Sequence, residues 1–69
     1  MSTTKSVEVG SKVEVTFGKL RWIAGEVRGL DVEHVIARVV LEDGRTVYVR
    51  SDLRPCNASP EVKRVRKAA

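Results

Sequence analysis

The chain has 69 residues, 42% of them hydrophobic, with one cysteine (Cys56), one histidine (His34) and a formal net charge of +4. A chain this short buries only about 60% of the surface that its unfolded form exposes, which leaves room for one core and one domain. A lone cysteine and a lone histidine exclude an intrachain disulfide and a cysteine/histidine zinc site, so stability is expected from the packing of a well-paired sheet.

Met1 to Ser6 carry no apolar run resembling a signal peptide, and no stretch reaches the roughly 18 apolar residues of a membrane span, so an intracellular, cytoplasmic protein is expected, with residues 1–8 as a flexible N-terminus. Val13, Val15 and Phe17 then alternate with Lys12, Glu14 and Thr16, the period of two that sends one face of a strand inward. After Gly18 a second alternating run extends from Arg21 to Leu30, with Ile23, Gly25 and Val27 on one face and Trp22, Ala24, Glu26 and Arg28 on the other. Gly25 in mid-strand signals a bend or a close backbone approach. Leu30 to Glu33 read as a loop, and a third strand, rich in β-branched residues, is predicted from about His34 to Leu41.

Asp43-Gly44 is suited to the positive φ angles of a tight hairpin, with Glu42 and Arg45 flanking it and Thr46 to Arg50 returning antiparallel. Ser51-Asp52-Leu53 reads as a turn, and Arg54-Pro55-Cys56 as a last short strand at an edge, where proline is tolerated. Ser59-Pro60-Glu61 has the form of a helix start, a serine cap followed by proline and an acidic residue. On such a helix Val62, Val65 and Ala69 share one side and Lys63, Arg64 and Lys67 the other; the alternative is a solvated basic tail, since an isolated helix of this length is marginal in water. Residues 1–59 carry nine Lys/Arg against eight Asp/Glu, and residues 60–69 four against one, so the positive charge lies mainly in the C-terminal segment.

Four pieces, Val9-Gly10-Ser11-Lys12-Val13, Trp22-Ile23-Ala24-Gly25-Glu26-Val27, Val39-Val40-Leu41-Glu42-Asp43-Gly44 and Val49-Arg50-Ser51-Asp52-Leu53-Arg54-Pro55, stand in the order and spacing of Tudor and Agenet domains. The chain resembles those domains over about residues 9–55. The resemblance implies an all-β fold, a five-stranded SH3-like barrel of the Tudor type over residues 9–57, followed by a basic helix or tail over 58–69. It places the positions of the aromatic cage that reads methylated lysine or arginine on Phe17, Ile23, Leu41 and a residue near Thr46 or Gly44. Only Phe17 is aromatic, and aliphatic side chains offer a cation no ring face, so methyl-ligand recognition is not expected.

A meander of the second, third and fourth strands is expected to show Trp22, Arg28, Ile36, Arg38, Val40, Tyr48 and Arg50 on its outer face. Arginines that meet phosphates, beside rings that stack on bases, suit nucleic acid. Lys63, Arg64, Arg66 and Lys67 suit phosphates without reading bases. Equally, Ile36 and Val40 give the third strand apolar residues on both faces, the pattern of a strand covered on both sides, so Trp22, Tyr48, Ile36 and Val40 also suit a protein partner or a second copy. One histidine, one cysteine and scattered carboxylates supply no nucleophile with an evident base, and no glycine-rich phosphate loop is present. A small non-enzymatic binding protein is therefore expected, associated with nucleic acid or alternatively serving as an interaction module, with no cofactor, metal, membrane or small-molecule substrate.

Overall fold

The computed structural model describes residues 7–18 and 21–68. Of the expected flexible N-terminus, residues 1–6 lie outside the described residues, as does Ala69; Val7 is buried and donates its backbone N–H to Ser51 O at 3.0 Å.

The period-two valines form strands. β1 (Lys12–Thr16), β2 (Ile23–Asp31), β3 (Ile36–Leu41) and β4 (Thr46–Arg50) follow one another as an antiparallel meander, and two short strands, β5 (Arg54–Pro55) and β6 (Arg64–Lys67), complete it. The order across the sheet is β5-β4-β3-β2-β1-β6, and β5 approaches β6, so the sheet curls into a small, nearly closed antiparallel barrel consistent with an SH3-like fold. Val13 and Val15 of β1, Val27 of β2, Ala37, Val39 and Leu41 of β3, and Val47 and Val49 of β4 fill its interior. Val7 and Val62 close it, and Phe17, Ile23, Leu30, Leu53 and Val65 pack against its margin.

There is no helix among the described residues, and the barrel has six strands rather than five. The segment expected as a helix or loose tail is β6, paired antiparallel with β1 in the register Val13↔Lys67, Glu14↔Arg66, Val15↔Val65 and Thr16↔Arg64. The physical reason lies in β1. Its second edge has no other partner among the described residues, and the pairing satisfies backbone groups there while Val62 and Val65 cover apolar surface. A short isolated helix would have left both undone. Ser59 serves a different end: its buried Oγ accepts the backbone N–H of Tyr48 at 2.8 Å, on the outer edge of β4.

Three boundaries also differ. β2 begins at Ile23, leaving Trp22 just before it, and runs on to Asp31 through a register shift between Val27 and Gly29 that makes Arg28 the extra residue of a bulge. The shift turns Leu30 inward, toward the core, instead of into a loop. β3 starts at Ile36 because Val35 adopts φ of 57°, and its carbonyl accepts the Ser51 N–H at 3.0 Å. The β3–β4 hairpin has a three-residue loop, Glu42-Asp43-Gly44, with Leu41 O accepting Gly44 N–H at 2.9 Å and Leu41 N–H donating to Arg45 O at 2.7 Å. Only Gly44 has positive φ there, so the turn is the bulged form rather than the two-residue one. Gly25 marks a close approach: a Cβ on it would stand 2.7 Å from Val39 Cγ1 and 2.8 Å from Leu41 Cδ2.

Candidate functional site

β6 carries the C-terminal cations onto the barrel wall. The strand is anchored at its ends by Lys63 N–H to Thr16 O at 2.8 Å and Ala68 N–H to Lys12 O at 3.0 Å. Between these, Val65 turns toward the core and Arg64, Arg66 and Lys67 stay exposed. Arg66 donates from Nε to Glu14 Oε1 at 2.7 Å, and its guanidinium carbon lies 3.9 Å from the centroid of the Trp22 ring. The tryptophan and the basic segment therefore meet, across β1, and this tertiary contact holds the ring in place.

Most other exposed cations have carboxylate partners. Lys12 Nζ and Arg28 Nε each stand 3.3 Å from Glu26 Oε1, Arg45 Nε is 2.8 Å from Asp43, and Asp52 is shared by Arg50 at 2.9 Å and Arg54 at 3.8 Å. Hydrogen bonding from Lys12, with the charges of Lys12 and Arg28, holds the Glu26 carboxyl below its usual value; the hydrogen bond from Arg50 does the same for Asp52, and in return Asp52 raises the Arg50 guanidinium. Among the described residues, Arg21, Arg38, Lys63, Arg64 and Lys67 have no ion-pair partner, and three of these five belong to β6 or its first flanking residue.

A second surface lies on the outward side of β3 and β4. The register Ile36↔Arg50, Arg38↔Tyr48 and Val40↔Thr46 brings Ile36, Arg38, Tyr48 and Arg50 together. Gly29, Leu30, Ile36, Arg38, Tyr48 and Ala58 line a shallow depression of about 520 Å³. Arg38 lies flat across Gly29 and donates from Nη2 to Arg28 O at 3.3 Å. Arg28 itself is turned toward Glu26, and Val40 sits in a separate hollow with Ala24, Glu26 and Glu42. Trp22 does not join this surface: it precedes Gly29 by seven residues of β2 and its approach, roughly 20 Å of extended chain.

The positions that the Tudor resemblance assigns to a cage do not form one. Leu41 is in the core at 2% exposure. Phe17 and Ile23 instead line a groove of about 260 Å³ with Arg21 and Arg45, and the Arg45 guanidinium carbon stands 4.3 Å from the Phe17 centroid. The ring already carries a cation from its own chain. Arg45 and Arg21 lie in two different connections, so neither stands out in the sequence as part of a site.

His34 Nδ1 is 2.8 Å from Asp31 Oδ2 and its backbone N–H donates to the same carboxylate, which depresses the Asp31 pKa through those hydrogen bonds; both residues are exposed. Among the described residues no three of His, Cys, Asp and Glu gather in a way that suits a metal ion, and no helix is long and apolar enough to cross a membrane. No protein-family model matches the chain, and comparison with curated proteins and with solved structures finds no match.

Proposed function

We propose that this protein is a small, non-enzymatic nucleic-acid-binding module on an SH3-like barrel of the Tudor type, holding the phosphate backbone through β6. The observation that carries the reading is the group of exposed cations Lys63, Arg64 and Lys67, without ion-pair partners among the described residues, on and just before the strand that pairs with β1. Cations on a strand meet phosphates with their backbone already ordered, whereas a loose tail loses backbone freedom as well on binding. Arg66, packed on Trp22 and bonded to Glu14, supports the strand as well as the charge. Such contacts read no bases, so the binding is sequence-tolerant and salt-sensitive. The one ring at the cage positions faces Arg45, which argues against methylated lysine as the ligand.

The test is fluorescence anisotropy with duplex DNA across a salt series, comparing the full chain with the triple variant Lys63→Gln/Arg64→Gln/Lys67→Gln. The slope of log affinity against log salt should flatten by about 2.7, three lost phosphate contacts at about 0.9 each. No binding at low salt, or a slope that the variant leaves unchanged, would overturn the reading. A second reading, self-association or docking of a protein, is favoured by the half-buried Ile36 beside the 39% exposed Tyr48 on the β3–β4 depression. There Tyr48→Ser lowers the sedimentation coefficient of a self-associating wild type and the triple variant does not.

A further inference from the structure

The groove between the β1–β2 connection and the β3–β4 turn contains more organisation than phosphate contact requires. The Arg45 guanidinium is fixed from two sides: Nε donates to Asp43 Oδ2 at 2.8 Å, and one face lies over the Phe17 ring at 4.3 Å. Asp43 is itself held in the turn, its Oδ1 accepting the Arg45 backbone N–H at 3.0 Å. The result is a guanidinium held by a carboxylate and over a ring, on a side chain that is 54% exposed. Phe17 and Ile23 form an apolar wall beside it, and Arg21, on the same groove, has no ion-pair partner among the described residues. Nearby, a Cβ on Gly18 would stand 3.4 Å from Lys63 Cγ, which places Lys63, just before β6, beside the residue that follows Phe17.

A guanidinium plane backed by a ring is a stacking surface for a flat, polarisable partner, and nucleobases stack on arginine planes when their faces are free. In a duplex those faces are covered by neighbouring pairs. A groove of about 260 Å³ has room for a single planar ring system. We propose that this groove is a base-stacking subsite that takes one unstacked base of single-stranded nucleic acid on Arg45, with the adjacent phosphate on Arg21. The subsite rests on the phosphate-binding reading of β6, which brings the strand alongside, and it adds a preference that β6 alone cannot supply.

The experiment uses the full chain with a fluorescent 12-nucleotide thymidine strand, the matching adenine–thymine duplex, an abasic strand of equal length and a polyglutamate peptide of equal charge, all at one salt concentration. The variant is Arg45→Lys, which keeps the charge and removes the plane. Affinity for the thymidine strand should fall about tenfold in the variant, the loss of one stacked base, while duplex affinity stays within about twofold. The abasic strand should bind wild type and variant alike. If wild type holds duplex and single strand equally, or if Arg45→Lys weakens both by the same factor, the subsite is wrong and the phosphate reading stands. If neither nucleic acid binds, both fall together. Polyglutamate binding as tight as the thymidine strand would replace the nucleobase with an acidic peptide and overturn the proposal.

Discussion

At Gly25 the β2 backbone runs so near β3 that any side chain would meet Val39 Cγ1, Leu41 Cδ2 and, at 3.1 Å, the Val40 carbonyl. Val39 and Leu41 are core residues at 0% and 2% exposure, with no free space to move into. Gly25→Ala is therefore expected to lower stability by about 1–3 kcal/mol, the usual range for overpacking, read from the urea midpoint of unfolding. An unchanged midpoint would mean that the strands separate there at little cost. The close approach was legible in the sequence, since a lone glycine inside an alternating run has few other reasons to be there. Ser59 was legible as a cap and misassigned as to what it caps. Its hydroxyl meets the N–H of Tyr48 across the chain, and no local pattern distinguishes that partner from the first turn of a helix.

For the elements, what could be read depended on length and on how one-sided the burial is. β1, β3 and β4 each bury at least two alternating apolar residues, and that period was visible at once. β6 has four residues and turns only Val65 inward, too few to show a period of two, and its exposed cations fit the polar side of a helix equally well. The bulge at Arg28 was hidden for another reason: an extra residue shifts the alternation without changing composition, so Leu30 resembled loop, while Trp22 was grouped with Tyr48 by face although it stands beyond the far end of β2. Removal of β6 should be severe. A chain ending at Ser59 loses the β1 pairing, buried Val62 and half-buried Val65, apolar contacts worth about 1.5–3 kcal/mol for each fully buried side chain against a domain total of about 5–15 kcal/mol. Circular dichroism melting should show it largely unfolded at room temperature; a cooperative melt like that of the full chain would reduce β6 to an ornament of the barrel.

Over the whole molecule, the carboxylates of Glu26, Asp31, Asp43 and Asp52 all ionise below their ordinary range. The leading causes are hydrogen bonds, from Lys12, His34, the Arg45 backbone and Arg50 respectively. A carboxyl whose folded pKa is depressed contributes stability that is present above its unfolded pKa and lost as pH falls through the folded value. The urea midpoint should thus be level above about pH 5 and decline below about pH 4, modestly, because every one of these pairs is exposed to solvent. A midpoint that rises on acidification would show that these carboxylates repel other anions more than their cation partners stabilise them. The pairing of β6 with β1 has one more consequence. Arg64, Arg66 and Lys67 sit on the strand that closes the barrel, so a polyanion gripping them has full purchase only on folded molecules. Occupancy and folding are then thermodynamically linked, and a polyanion at a hundred times its dissociation constant would deepen the native well by at most about 2.7 kcal/mol. On the proposed phosphate-binding reading, a bound polyanion would add to the stability of a chain this small.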